Sequence, residues 1–124
     1  EKKQIIKQYK KMIKIYHNNR CSKSRQGLQL VENSGKEFEV VKYLDNIPTK
    51  EELKSVIKLL GISPIDLVRK NEAIWKESYK GKDFTDDEII TAMINNPRLI
   101  ERPIVINGNK AVIGRPPESI LDIL

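Results

Sequence analysis

An α/β fold built on a four-stranded mixed sheet is expected from three features of the sequence. Two short apolar runs near the start, IKIY at 13–16 and FEVVKY at 38–43, flank a stretch with helical spacing. A crossover of that length normally joins parallel neighbours. Two later runs, PIVI at 103–106 and KAVIG at 110–114, are joined by Asn107-Gly108-Asn109, and Asn-Gly is a strong hairpin signal. Between the two halves lies a block patterned for helices.

Each element has its own reason. Residues 13–16 alternate, as a half-buried strand does. The polar run 17–24 follows, and then Leu28, Leu30 and Val31 stand at helical spacing before the stop signal Asn33-Ser34-Gly35. Residues 38–43 are β-branched and aromatic, which suits a strand. Thr49-Lys50-Glu51-Glu52 reads as a capping box for a helix that turns Leu53, Val56, Ile57 and Leu60 inward and closes at Gly61. Ser63-Pro64, a cap residue followed by proline in the first turn, opens a short helix through IDLVRK. Residues 72–79 read as helical. Thr85-Asp86-Asp87-Glu88 is a second capping box, for a helix that runs through Met93 and stops before Pro97. Pro116-Pro117 leads into a last helix, ESILDIL. No internal repeat or low-complexity tract interrupts this order. Without the helical insertion, the β-α-β and β-β-α halves make a thioredoxin-like arrangement, a four-stranded mixed sheet with helices on both faces.

Composition narrows the function classes. The chain has 124 residues, 39% hydrophobic and 32% charged, enough for one domain with a real core. No apolar run approaches the roughly 18 residues of a membrane span, and the start lacks the apolar stretch and cleavage site of a secretory signal. The single cysteine excludes an internal disulfide, and with a single histidine it leaves no protein-only zinc site. The reducing cytoplasm is the default compartment. The net charge is +6, but Lys2, Lys3, Lys7, Lys10 and Lys11 with Glu1 supply +4 of it. The remainder is too evenly balanced for a dedicated nucleic-acid binder. Met12 opens a well-formed strand, so residues 1–11 read as a leader or extension and 12–124 as the domain.

The only cysteine and the only histidine share one polar run, HNNRCSKSR at 17–25. Cys21 falls between the first strand and the first helix. A helix N-terminus offers free N–H groups and the positive end of the helix dipole, and both favour a thiolate. Arg20, Lys23 and Arg25 add positive charge. The expected result is a depressed thiol pKa, a nucleophile at neutral pH, and an oxyanion cradle beside it. A cysteine phosphatase would need an arginine in a C-x5-R loop, where this chain has Gly27. A dithiol oxidoreductase would need C-x-x-C, where it has Ser24. A monothiol enzyme remains, one that borrows its second thiol from outside, with glutathione or a glutaredoxin as the natural source.

IYHNNRCSKSR at 15–25, YLDNIPTKEEL at 43–53, GISPIDLVRKNE at 61–72, FTDDEII at 84–90, ERPIVI at 101–106 and GRPPESILDIL at 114–124 occur in the order of a known family. Through these motifs residues 12–124 resemble the glutaredoxin-linked arsenate reductase (ArsC) family, of thioredoxin-like fold. The resemblance implies that Cys21 is the nucleophile and that Arg69, Arg102 and Arg115 surround the oxyanion. Guanidinium suits that task, being planar, doubly donating and permanently charged. Pro103 matches a cis-proline lying opposite the cysteine. His17 matches a histidine that either helps hold the thiolate or bonds main chain at the strand end. Ser24 either donates to the sulfur or caps the helix, and Arg25 adds charge to the binding loop.

The resemblance also implies a cycle. Arsenate binds, Cys21 attacks arsenic, glutathione attacks next, arsenite leaves, and glutaredoxin clears the mixed disulfide. Glutathione is then a co-substrate, with no bound cofactor, no metal, no nucleic acid and no membrane partner. Two departures stand out. Longer family members continue past LDIL, and Arg20 and Lys23 occupy positions where the family often has small or uncharged residues. Two other readings compete: a glutathione-dependent thiol oxidoreductase without arsenate specificity, against which Arg115 counts, and an Spx-like regulator, against which Ser24 counts.

Overall fold

The structure, a computed structural model, describes residues 12–124; the expected leader at 1–11 lies outside the described residues. The chain gathers into two compact units, one from the residues through Lys42 together with Arg102–Leu124, the other from Tyr43–Glu101.

The first unit holds β1 (Ile13–Tyr16), α1 (Ser22–Asn33), β2 (Phe38–Val41), β3 (Ile104–Asn107), β4 (Lys110–Ile113) and a 3₁₀ helix, Pro117–Ile123. The strands lie in the order β2-β1-β3-β4. β1 runs parallel to β2 and antiparallel to β3, and β3 and β4 are antiparallel. This is the mixed sheet that the order of elements predicts.

The register shows why the strands are apolar. Val40, Ile15, Val105 and Val112 stand opposite one another across all four strands. The two-residue period puts that row on one face with Ile13 and Phe38. Ile13, Ile15 and Val105 form a core with Val31 of α1 and Ile120 of the 3₁₀ helix, and Leu28, Val40, Val112 and Ile123 pack against it. Tyr16 and Ile104, paired on the opposite face, are buried as well. Ile104 and Val105 of β3 and Ile15 and Tyr16 of β1 are thus buried on opposite faces, which accounts for their adjacent apolar residues, while Lys14 of β1 is exposed.

Three boundaries differ from the sequence reading. β2 stops at Val41 rather than reaching Tyr43. The hairpin turn expected at 107–109 narrows to Gly108-Asn109, because Asn107 joins β3; φ is positive at Gly108 alone, as in a type II′ turn. The last helix is 3₁₀, not α. Pro117 and Ile120 are buried and Ile123 packs on the core, a spacing of three that aligns on one side only in the tighter helix.

The second unit holds α2 (Lys50–Leu60), a 3₁₀ turn (Pro64–Leu67), α3 (Ala73–Ser78), α4 (Asp86–Asn95) and a second 3₁₀ turn (Pro97–Leu99). The Thr49 side chain accepts from the Glu52 N–H at 3.1 Å, and Gly61 at φ 68° closes α2. Thr85 and Glu88 cap α4 reciprocally. Lys50 of α2 meets Asp87 of α4 at 2.7 Å. The helix expected through IDLVRK ends at Leu67 because the next residues are drawn into extended pairing. Val68 bridges Ile100, the Arg69 N–H donates to the Leu99 carbonyl, and the Glu101 N–H donates to that of Leu67. Among the described residues no helix is long and apolar enough to cross a membrane.

Candidate active site

The sheet gathers the site residues at one of its ends. The last residue of β1, Tyr16, pairs with the first of β3, Ile104, which pairs with the last of β4, Ile113. The chain leaving β1 leads to Cys21, the chain entering β3 comes from Arg102, and the chain leaving β4 leads to Arg115. Strand pairing thus brings together three residues that are far apart in sequence. The Arg102–Pro103 and Arg115–Pro116 peptide bonds are both cis.

Local hydrogen bonds fix the loop after β1. The Cys21 N–H donates to the Asn18 carbonyl at 3.0 Å, the Arg20 N–H to Asn18 Oδ1 at 3.0 Å, and Arg25 Nη1 to the Asn19 carbonyl at 2.9 Å. Cys21 is then the N-cap of α1, and its carbonyl accepts the first helical bond from the Arg25 N–H. Ser24, fully buried, accepts the Asn18 N–H at 3.0 Å and shares a 2.7 Å hydrogen bond with His17 Nδ1. Its hydroxyl therefore serves the strand end and the loop. Burial holds His17 below the ordinary histidine pKa, with Lys42 and Arg25 pushing the same way, so the ring is neutral near pH 7.

The thiol is only partly exposed, and that burial on its own pushes its pKa up. The Ser24 main-chain N–H, the Arg102 guanidinium and the Arg115 guanidinium outweigh it, so the pKa lies below the ordinary thiol value. Arg115 Nη2 donates to Sγ at 3.4 Å, while its Nε donates to the Arg102 carbonyl at 2.9 Å. Arg102 itself is 9% exposed. The arrangement sets a thiol of lowered pKa beside two guanidinium groups and the N-terminus of a twelve-residue helix.

Arg69 belongs to the second unit, where Nη1 donates to Glu101 at 3.1 Å and Nε lies 3.7 Å from Glu72. Arg25 is exposed and committed to the loop carbonyl of Asn19. Two glycines matter in ways the sequence reading missed. A Cβ on Gly27 would stand 2.7 Å from Pro103 Cγ, and one on Gly114 would stand 2.8 Å from the same atom. Gly27 thus lets α1 close on Pro103, and the arginine of a C-x5-R loop would have no room there. Asn18 was missed too. Its signal is an asparagine two residues before the N–H it caps, an Asx turn.

Alkylation of Cys21 should report the depressed pKa directly. The rate should rise through a midpoint below the free-cysteine value of about 8.5. The folded state favours the thiolate, so its contribution to stability is full above the free-thiol pKa and fades as pH falls through the folded one. A midpoint at or above the free value would remove the electrostatic account.

Fold and site together define a thioredoxin-like protein with one activated thiol. The chain belongs to the ArsC family, whose pattern matches residues 16–123. It is 44% identical over 112 residues to the arsenate reductase of Haemophilus influenzae, covering 89% of this chain and 97% of that one. It is 45% identical over 116 residues to the uncharacterized protein YfgD of Escherichia coli, covering 92% and 98%. The solved arsenate reductase of Vibrio cholerae superimposes with a TM-score of 0.87 at 44% identity, covering 92% and 98%.

Proposed function

We propose that the protein is an arsenate reductase that works through a Cys21 thiolate, with glutathione and glutaredoxin as reductants. The observation that carries the reading is the 3.4 Å contact of Arg115 with Cys21 Sγ, made where buried Arg102 also lowers the thiol pKa. Relatives at about 44% identity that are arsenate reductases support it.

In this reading arsenate sits against Arg102 and Arg115. The thiolate attacks arsenic, an S–As bond forms, and an arsenate oxygen leaves as water after taking up protons. A glutathione thiolate then attacks Cys21 Sγ. The S–As bond breaks with its electron pair going to arsenic, As(V) becomes As(III), and arsenite leaves. Cys21 is left in a mixed disulfide. Glutaredoxin attacks the glutathione sulfur and returns Cys21 as thiolate, so two thiols have supplied two electrons. The lone cysteine in the sequence agrees with an external second thiol. The reading calls for a reducing compartment such as the cytoplasm.

The test is arsenite production by purified protein with glutathione and glutaredoxin. Cys21→Ser should abolish it. Without glutaredoxin, arsenate plus glutathione should stop at a single glutathione mass addition on Cys21, lost when glutaredoxin is added. Thioredoxin should be the poorer reductant. An adduct that forms equally without arsenate would favour a general thiol oxidoreductase.

A further inference from the structure

Two glycines face one crowded spot. A Cβ on Gly27 would stand 2.9 Å from Ile120 Cδ1, one on Gly114 would stand 2.8 Å from it, and both would press on the Pro103 ring. Gly27 lies inside α1, whereas Gly114 is the residue immediately before Arg115. The φ at Gly114 is not left-handed, so its backbone does not call for glycine; the space does. Gly114 and Ile120 are both buried, so a methyl group added here has no route to solvent. It would meet Pro103 Cγ at 2.8 Å and Ile120 Cγ1 at 3.2 Å as well as the Ile120 terminus.

Gly114 is also the centre of a γ-turn. The Arg115 N–H donates to the Ile113 carbonyl at 2.9 Å, which turns the chain as it leaves β4. The Gly114 N–H carries the β3–β4 ladder one step further, to the Pro103 carbonyl at 2.8 Å. Arg115 Nε continues in the same direction to the Arg102 carbonyl at 2.9 Å, and Nη2 reaches Cys21 Sγ at 3.4 Å. Arg115 is exposed, so burial does not hold its side chain. The turn and the Nε bond aim the guanidinium, and both depend on the 114–115 backbone lying close against the 102–103 segment. A side chain at 114 would push off the rigid proline ring, and the turn that carries Arg115 would move with it. We propose that Gly114 is a positioning residue, and that the missing side chain against Pro103 and Ile120 is what lets the Arg115 guanidinium reach the sulfur. The inference rests on Cys21 as the reacting thiol of the reading above, and not on which oxyanion it attacks.

The test is the pH midpoint of Cys21 alkylation, which involves no arsenate. Gly114→Ala should raise the midpoint by about half a pH unit, a fraction of the effect of a charge partner within reach. In an Arg115→Ala background the same substitution should leave the midpoint unchanged, because the group it acts through is gone. Ile120→Val removes one crowding atom, Cδ1, and leaves the proline ring. Gly114→Ala/Ile120→Val should therefore titrate between Gly114→Ala and Ile120→Val. Circular dichroism and thermal unfolding check that each variant is folded. If Gly114→Ala does not fold, the double variant is compared with Ile120→Val and should still titrate higher. A glycine that serves packing alone would lower Tm on substitution and leave the midpoint in place. An unshifted midpoint in the folded variant, or an equal rise with Arg115 absent, would overturn the proposal. The expected shifts without any arsenate reduction would keep the role of Gly114 and overturn the proposed activity.

Discussion

Replacing Arg115 or Arg102 with alanine should cut arsenate turnover by roughly a hundredfold or more, the usual loss on removing a preorganised contact to developing charge. Arg115 touches Sγ at 3.4 Å and Arg102 is buried and helps lower the thiol pKa, so in the proposed cycle both stand where charge moves as the S–As bond forms and breaks. Lysine should not fully restore either, because it lacks the paired planar donors. Arg115 also donates to the Arg102 carbonyl, so its loss loosens the neighbouring backbone. Thermal unfolding of each variant separates that from chemistry, and the thiol titration gives a second readout, since each alanine variant should shift the Cys21 midpoint upward. If both alanine variants remain folded and reduce arsenate near normally, the two arginines do not form the cradle.

Gly27→Ala should destabilise the protein by about 1–3 kcal/mol, the range for overpacking a filled site. For a domain of this size that lowers Tm by roughly 5 °C or more. The new Cβ would stand 2.7 Å from Pro103 Cγ and 2.9 Å from Ile120 Cδ1. The proline ring cannot swing aside, but the isoleucine terminus can be removed. Ile120→Val alone should cost about 0.5–1.5 kcal/mol by leaving a cavity. Combined with Gly27→Ala it should relieve one of the two contacts, so the double variant should be more stable than the sum of the singles. A Gly27→Ala protein as stable as the wild type would show that α1 shifts freely, and the close approach to Pro103 would then carry no energetic meaning.

The parts of this molecule that were legible in the sequence are those set by local rules. The alternation of IKIY, the hairpin residues and the cap at Thr85 act within a few positions, and each element is found where its pattern lies. The elements misread are those decided at a distance. Val68 leaves helical geometry because the Leu99–Glu101 segment offers it a partner. The last helix tightens to 3₁₀ because the core asks for side chains three apart. The site divides in the same way. Cys21 could be singled out from its own run, since a polar, basic helix start identifies itself. Nothing local marks Arg102 and Arg115 as neighbours of that sulfur; their meeting follows from the β1–β3 and β3–β4 pairings. The Ser24 hydroxyl could be placed near the loop but not aimed, because its partner His17 is fixed by the strand.

The connectivity of the sheet carries a consequence for synthesis on the ribosome. Tyr43–Glu101 is one continuous stretch, so the second unit has all its residues once Glu101 has left the exit tunnel. The first unit does not, because Ile15 pairs with both Val40 and Val105. At about 5–20 residues per second, several seconds separate the emergence of β1 from that of β3. During that interval β1, three of whose four residues are buried in the finished fold, has β2 on one side and an open edge on the other. An open apolar edge is a template for pairing with another chain. The nascent protein is thus most exposed to misassembly before Arg102 and Arg115 have been made, and arrival of the β3–β4 hairpin closes the edge and brings both arginines to the cysteine's end of the sheet in the same event.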